Sequence, residues 1–219
     1  MKTDLYDKTE TVPEPIDRPH PSEQELCSAI KNTLEQGNYA VAIAMMNELI
    51  ALHPDSAVYY NNRGLMYLQN HQLTEAFADL THALEIDPQL DQAYNNRANC
   101  YAAQGDFIAA ISDYDISLDI NPSNIRTWIN QGITFRELGS YDLAIQNFDI
   151  ASILSDSFSE TIYAERGRTY HLRGDWNCAV ADYRSALELL SNHPKLQEYK
   201  IKVKAWFDAL LNPLFPQEC

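Results

Sequence analysis

The sequence predicts an all-α solenoid of five helix-turn-helix repeats followed by a C-terminal capping helix. The first observation behind this prediction is a period of 34 residues, at which Pro54, Pro88 and Pro122 recur. Alanines keep the same period at Ala42, Ala76, Ala110 and Ala144. The second observation is that small and aromatic residues within each unit recur at spacings of three and four, which are typical of helices and not of strands. A sustained period of this length is typical of stacked supersecondary units.

The repeats span residues 23–56, 57–90, 91–124, 125–158 and 160–193, with Ser159 as an insertion before the last one. Positions are numbered here from the first residue of each repeat. Position 8 is small in the last four repeats, at Gly64, Ala98, Gly132 and Gly167. Small residues at positions 8 and 20 let two antiparallel helices pack closely, and aromatic residues at positions 4 and 11 fill the space between hairpins.

Two segments carry a resemblance to a known family. Residues 94–97 (Tyr-Asn-Asn-Arg) and 110–114 (Ala-Ile-Ser-Asp-Tyr) resemble the tetratricopeptide repeat family, in particular its bacterial and cyanobacterial members. The resemblance covers residues 23–193 and implies a right-handed α-α superhelix with a concave groove. The first repeat departs from the pattern, because Ile30 replaces the small residue at position 8 and Met46 replaces the aromatic residue at position 24.

The charge and hydropathy of the chain exclude several functions. Of its 219 residues, 31 are Asp or Glu and 16 are Lys or Arg, so the formal net charge is −15. Such a chain does not favour a phosphate backbone, and we expect no nucleic-acid partner. No run of about 20 apolar residues occurs, which predicts no integral membrane span. The N-terminus shows no secretory signal, so we expect a cytoplasmic protein.

The placement of cysteine and histidine predicts neither a metal centre nor a catalytic site. The four cysteines, Cys27, Cys100, Cys178 and Cys219, lie 41 to 78 residues apart, without the close pairs of a metal site. We therefore expect free thiols, no metal and no cofactor. The six histidines are scattered and no glycine-rich phosphate loop occurs. These observations predict that the protein is not an enzyme.

The two ends of the chain differ from the repeats. Residues 1–22 hold four prolines and five acidic residues, which predicts an extended or disordered leader; alternatively, the leader folds back onto the array or binds a partner. Residues 194–219 are expected to form a capping helix near 195–211 and a tail. The apolar stripe of that helix comprises Leu196, Tyr199, Val203, Trp206, Phe207, Leu210 and Leu211. The alternative is a basic amphipathic helix on a membrane surface, with Lys195, Lys200, Lys202 and Lys204 mostly off the stripe.

Positions 7 and 23 change class together from one repeat to the next. Both are apolar in the first repeat, where Ala29 accompanies Met45. In the following repeats an arginine accompanies an aspartate, except in the fourth, where both residues are amides. This pattern predicts bridges inside the hairpins between Arg63 and Asp79, Arg97 and Asp113, Gln131 and Asn147, and Arg166 and Asp182.

The resemblance also implies which residues line the concave face: positions 2, 5, 9 and 12 or 13 of each first helix, together with position 6. In this chain the candidate binding residues are Asn61, Asn62, Gln92, Asn95, Asn96, Asn99, Arg126, Asn130, Arg136, Arg168 and His171. Asn62, Asn96 and Asn130 form a row at position 6. Because an amide both donates and accepts hydrogen bonds, such a row can bind an extended peptide backbone. The alternative is that these amides bond within their own hairpins.

We therefore expect a monomeric, non-catalytic adaptor that binds another protein in its groove. The cations Arg126, Arg136 and Arg168 in an acidic chain favour an acidic or C-terminal segment as ligand. The chain does not supply the set of cations and amides that forms the family's chaperone-tail clamp. The cyanobacterial resemblance implies assembly or regulation of a complex, with photosynthetic complexes as one setting. Two alternatives stay open: self-assembly of solenoids through their ends and membrane association through the C-terminal helix.

Overall fold

The computed structural model describes residues 22–154, 156 and 158–212, and every regular element in those ranges is helical. The helices are α1 (Glu23–Glu35), α2 (Tyr39–Leu52), α3 (Ala57–Gln69), α4 (Leu73–Ile86), α5 (Asp91–Ala103), α6 (Phe107–Ile120), α7 (Ile125–Glu137), α8 (Tyr141–Leu154), α9 (Ser159–Arg173), α10 (Trp176–Ser191) and α11 (Gln197–Leu211). A short 3-10 turn, Pro194–Leu196, precedes α11. The predicted all-α, right-handed superhelix is confirmed. The predicted leader, apart from Ser22, and the tail after residue 212 lie outside the described residues.

The ends of the helices follow from local sequence. Ser22 and Glu25 form a capping box at the start of α1, in which each side chain accepts from the other residue's backbone N–H. Each hairpin turn then requires a left-handed residue at position 15. Glycine supplies it in four repeats, with φ between 73° and 95°. In the second repeat His71 takes this conformation instead, with φ of 61°.

The two helices of each hairpin approach closely because their facing residues are small. A Cβ atom added to Gly64 would lie 2.8 Å from Leu80 Cγ, and one added to Gly132 would lie 2.9 Å from Phe148 Cε1. Both distances are too short for a real Cβ contact, so position 8 requires glycine in these hairpins. The alanines at position 20 are fully buried for the same reason: Ala42, Ala76, Ala110, Ala144 and Ala179.

Adjacent hairpins pack through the second helix of one repeat and the first helix of the next. In addition, consecutive first helices touch directly: α3 contacts α5, α5 contacts α7, and α7 contacts α9. The first pair is the exception, because no Cα atom of α1 lies within 8 Å of a Cα atom of α3. The solenoid is therefore more open between its first two repeats than elsewhere.

The charged pairs at positions 7 and 23 are confirmed for the three arginines. Arg63 Nε lies 2.6 Å from Asp79 Oδ2, and the matching distances are 2.7 Å from Arg97 to Asp113 and 2.7 Å from Arg166 to Asp182. These hydrogen bonds raise the pKa of Arg63, Arg97 and Arg166 above the usual range for arginine. The pairs are partly buried, so they fix the orientation of the two helices in each hairpin.

The predicted pair between Gln131 and Asn147 is wrong. Gln131 Nε2 instead donates to Asp115 Oδ1 at 2.6 Å, and Asn147 Nδ2 donates to the backbone oxygen of Leu143. The reason is that position 7 lies between two partners, position 23 of its own repeat and position 25 of the preceding one. An arginine reaches both, as when Arg166 also contacts Asp149 at 2.6 Å. A glutamine has one amide to donate, and here it bonds the charged carboxylate.

Helix α11 closes the C-terminal end as the first helix of a sixth unit that has no second helix among the described residues. Val203 and Leu210 are fully buried against α9 and α10, and Trp206 is half-buried. On the side of α11 where a second helix would pack, Ile201 and Lys204 are exposed and Lys200 is half-buried. The predicted capping helix is therefore present, and its apolar stripe is used inside the fold.

The N-terminal end is polar where later repeats are apolar. In the first repeat, positions 3 and 10 are the exposed residues Glu25 and Asn32. In the third repeat, the same positions are the buried residues Ala93 and Cys100. Because no repeat packs on this side of α1 in the described chain, the polar residues face solvent. Within the described ranges, no helix combines the length and apolar character needed to cross a membrane.

Candidate functional site: a groove of amides

Five asparagines on α3, α5 and α7 form one continuous chain of hydrogen bonds along the concave side. Asn130 Nδ2 donates to Asn95 Oδ1 at 3.1 Å, and Asn95 Nδ2 donates to Asn96 Oδ1 at 3.2 Å. Asn96 Nδ2 then donates to Asn61 Oδ1 at 2.9 Å, and Asn61 Nδ2 donates to Asn62 Oδ1 at 3.4 Å. This set of five residues is called the amide ladder below.

The ladder arises because positions 5 and 6 are both asparagine in two consecutive repeats. Position 5 of one first helix faces position 6 of the next, so the bonds between repeats join residues 35 apart in sequence. The predicted row at position 6 is thus half of the arrangement, and the linking role of position 5 was missed. Asn-Asn pairs at 61–62 and 95–96 were the signal in the sequence.

Burial divides the ladder into an inner and an outer part. Asn61, Asn95 and Asn96 are buried, with 2% of Asn61 exposed, and their amides bond one another. Asn62 and Asn130 are half-buried and form the ends of the ladder. The inner amides therefore hold the first helices at a fixed spacing, and the end amides are the ones that can meet a ligand.

A polar cavity of about 380 Å³ opens over the ladder between α3, α5 and α7. Gln92 and Arg126 are exposed at its rim. The Arg126 guanidinium carbon lies 5.3 Å from the centre of the Phe158 ring, and no described carboxylate lies within ion-pair distance of it. Asp91, in contrast, accepts from Asn121 and Asn124 at 3.1 and 2.7 Å. Arg126 is therefore the cation that this cavity offers to a ligand.

Three other predicted residues lie apart from this cavity. Asn99 accepts a hydrogen bond of 2.6 Å from Tyr114 within its own hairpin. Arg168 stacks on Trp206, with 4.4 Å between its guanidinium carbon and the ring centre. His171 is half-buried beside Tyr183, and burial, followed by the charge of Arg168, lowers its pKa. These residues link α5 to α6 and α9 to α10 and α11 rather than line the amide cavity.

Arg136 was expected to face a ligand, but only 4% of it is exposed. Its Nη1 lies 2.5 Å from Glu165 Oε2, and the other carboxylate oxygen of Glu165 accepts from the Tyr199 hydroxyl at 2.9 Å. A buried cation needs such a partner because desolvation is costly. Glu165 was missed by the sequence analysis. It occupies position 6, where the preceding repeats carry the ladder asparagines, so the ladder ends and an ion pair begins there.

A second cavity, of about 590 Å³, lies between α1, α2 and α3 and was also missed. Its walls are mainly apolar and include Ile30, Leu34, Met46, Leu49 and Met66. It shares Asn62 and Leu65 with the polar cavity, so the two cavities adjoin along α3. The departures of the first repeat at Ile30 and Met46 were signals of this cavity in the sequence. Across both cavities and the other described residues, no three metal-binding side chains converge.

Comparisons with known proteins bear on the family. Two sequence models described as tetratricopeptide repeat match residues 30–91 and 92–124. A search of curated proteins gives no significant match. The match to TTC0263, a thermophilic TPR protein of Thermus thermophilus, has a TM-score of 0.74 and 18% identity over 84% of this chain and 98% of that one.

Two further solved structures share the fold. A chain of the APC/C hetero-tetramer Cut9–Hcn1 is 21% identical with a TM-score of 0.76, over 91% of this chain and 38% of its own length. MamA of Desulfovibrio magneticus RS-1, from residue 41 to the end, is 13% identical with a TM-score of 0.63, over 78% and 97%. Together with the 34-residue period and the stacked hairpins, the sequence matches show that residues 30–124 are tetratricopeptide repeats.

Proposed function

We propose that the protein is a non-catalytic adaptor that binds an extended segment of a partner protein over the amide ladder. The fold is that of a protein–protein interaction scaffold. The observation that carries the proposal is the open polar cavity above a rigid row of amides. Among the described atoms, the side-chain oxygen Oδ1 of Asn130 and the side-chain nitrogen Nδ2 of Asn62, at the two ends of the ladder, have no hydrogen-bond partner. A peptide backbone offers one donor and one acceptor per residue and suits these groups.

The charge at the rim supports an acidic group on the bound segment. Arg126 is exposed and stacks on Phe158, which holds the guanidinium in place while leaving its donors toward solvent. An arginine fork matches a carboxylate geometrically. The segment therefore carries an acidic side chain or a C-terminal carboxylate near α7, and the adaptor serves assembly or regulation of a larger complex.

The ends of the solenoid argue for a single-chain adaptor over a stacked assembly. Glu25 and Asn32 face solvent at one end, and at the other the half-buried Lys200 and the exposed Lys204 flank the exposed Ile201 on the outer side of α11. Docking these ends would require desolvation of several polar groups without evident partners. The apolar stripe of α11 packs against α9 and α10 inside the fold, which disfavours membrane binding through that stripe.

The test is capture of partners from native lysate by the full chain and by two variants. Gln92→Ala/Arg126→Ala removes the exposed groove groups, and Arg184→Ala removes an exposed arginine of α10 outside the groove as the matched control. We expect the double variant to lose its partner and the control to keep it. Rising salt should weaken the contribution of Arg126, because exposed charges are screened over about 8 Å at physiological ionic strength. Equal capture by all three proteins would place the binding surface outside this groove.

A further inference from the structure

The amide ladder stops at α3 because the first repeat lacks its next member. Position 5 of the first repeat is Cys27, where the second and third repeats have Asn61 and Asn95. A thiol cannot replace the amide that would face Asn62 across the gap. Helices α1 and α3 are also the one consecutive pair of described first helices whose Cα atoms do not come within 8 Å.

The gap is a built apolar chamber. Ile30, a bulky residue at position 8, is buried and packs in one cluster with Met46 and Leu49, so α1 cannot approach α2 as closely as glycine-bearing helices do. Tyr39 and Tyr59 complete the walls, and the chamber holds about 590 Å³. Cavities of roughly 300–1,000 Å³ with mainly apolar walls are the size that proteins use for ligands.

We propose that this chamber receives a large apolar side chain of the same segment that lies over the amide ladder. The inference rests on the proposed function, because the chamber and the polar cavity share Asn62 and Leu65 and an extended chain passes directly from one to the other. Alternate side chains of an extended segment point to opposite faces. One face of the segment can thus place a leucine, methionine or phenylalanine between α1 and α3.

The charges along the groove indicate which end of it binds the apolar side chain and which end binds the acidic group. Lys31 and Glu35 at the chamber carry one charge of each sign, whereas Arg126 at the other end is a cation without a described counter-ion. The apolar side chain therefore lies at the α1 end of the groove and the acidic group at the α7 end. With first helices about 8–10 Å apart and about 3.3 Å per extended residue, the two groups are separated by roughly six residues, an even number that places both side chains on one face of the segment.

The experiment uses a displayed library of random 12-residue peptides selected on the full chain. We expect the selected peptides to share a large apolar residue and, roughly six residues away, an acidic one. Alanine in place of the apolar residue should lower affinity about tenfold or more, since burying one such side chain is worth that factor. Selection of peptides without a required apolar residue, or of no peptide at all, would overturn the inference.

Two substitutions at one position test the chamber itself. Cys27→Asn restores the amide opposite Asn62 and should draw α1 toward α3, whereas Cys27→Ala leaves the gap open and is the matched control. Peptides should bind Cys27→Asn at least tenfold more weakly than they bind Cys27→Ala. Equal affinity for all three proteins would show that the chamber is not occupied.

Protection of the Cys27 thiol gives a second measurement that does not depend on those variants. In a Cys178→Ser/Cys219→Ser protein, Cys27 is exposed beside the chamber and Cys100 is buried with a pKa raised by burial to about 11, so alkylation reports on Cys27. A bound peptide should slow its alkylation about tenfold. If peptides bind Gln92→Ala/Arg126→Ala more weakly but do not protect Cys27, binding over the amide ladder is supported and occupation of the chamber is refuted. If peptides protect Cys27 and bind the double variant as tightly as the unchanged protein, occupation of the chamber is supported and binding over the amide ladder is refuted.

Discussion

Asn96 of α5 donates a hydrogen bond from Nδ2 to Oδ1 of Asn61 in α3, at 2.9 Å and across 35 residues of sequence. Both side chains are buried. Buried amides are stable only when their donors and acceptors are paired, so this contact requires a particular spacing of the two helices. Apolar packing alone tolerates small shifts more readily. The ladder therefore sets the geometry of the groove and leaves only its end amides for a partner.

The first prediction concerns the inner part of this ladder. Asn61→Ala should lower the free energy of unfolding by about 1–3 kcal/mol, because it leaves the buried amide of Asn96 without its acceptor. Asn130→Ala is the control at the half-buried end of the ladder. It removes the donor to Asn95 Oδ1, but Asn95 lines the open cavity, where water can replace that donor, so the change should cost less, about 0.5–1.5 kcal/mol. Urea denaturation followed by circular dichroism measures both. Equal losses would mean that burial does not distinguish the inner from the outer amides.

Contacts inside a hairpin were predictable from the sequence because they recur at the same positions in several repeats. Gly64 against Leu80 and Arg97 against Asp113 join residues 16 apart, and the period repeats those pairs in register. Comparing repeats with one another therefore replaced the comparison of related proteins. The prediction was wrong at Gln131, because a residue at position 7 also reaches position 25 of the preceding repeat.

Contacts between repeats were less accessible to the sequence analysis. Arg136 and Glu165 are 29 residues apart, and no other repeat carries the same pair, so no period reveals it. The chamber beside α1 depends on how far α1 stands from α3, which follows from the bulk of Ile30 and the missing amide at Cys27. Such distances arise from packing in three dimensions and not from the spacing of residue types.

The second prediction concerns the buried pair of Arg136 and Glu165. Glu165→Leu should destabilise the chain by about 3–5 kcal/mol, because it leaves a buried guanidinium without its main counter-ion. Arg136→Met/Glu165→Leu should recover most of that loss, since a buried ion pair is often replaceable by apolar residues. Tyr199→Phe, which removes one hydrogen bond to the charged group, should cost about 1.5–3 kcal/mol. Chemical denaturation of these proteins and of Arg136→Met completes the double-mutant cycle, and a loss in the double variant equal to the sum of the two single losses would refute the coupling.

The third prediction concerns the left-handed residue in the second repeat. His71 has φ of 61°, where the other repeats have glycine. A side chain in this conformation costs about 1–2 kcal/mol, and glycine loses about 0.5–1 kcal/mol through its freedom in the unfolded chain. His71→Gly should therefore stabilise the protein by about 0.5–1 kcal/mol, read as a rise in melting temperature. The neighbouring Asn70→Gly, at φ of −89°, should give no gain, and a gain of equal size there would contradict the explanation.

The last prediction is a pH dependence of stability centred on His171. Burial lowers the pKa of His171 below its ordinary value of 6.5, and the charge of Arg168 adds to the effect. Tyr183 and Trp176 also face the ring, and neither carries a negative charge that would favour imidazolium at these pH values. The unfolded chain therefore binds a proton at a higher pH than the folded chain does. The free energy of unfolding then rises with pH through this range, so this stabilisation is present above pH 6.5 and is lost as the pH falls through the folded pKa.

Because the carboxylates of the chain also titrate at low pH, the measurement is a difference between two proteins. His171→Gln keeps a polar side chain that does not titrate. The unchanged protein should lose more stability than His171→Gln between pH 7.5 and 5, and its imidazole resonances should titrate below pH 6.5 in NMR. Arg168→Gln should move that midpoint upward, since it removes the nearby positive charge. An imidazole midpoint at or above 6.5 in the unchanged protein would mean that His171 is solvated, and the stability curves of the two proteins would then no longer diverge in the predicted direction.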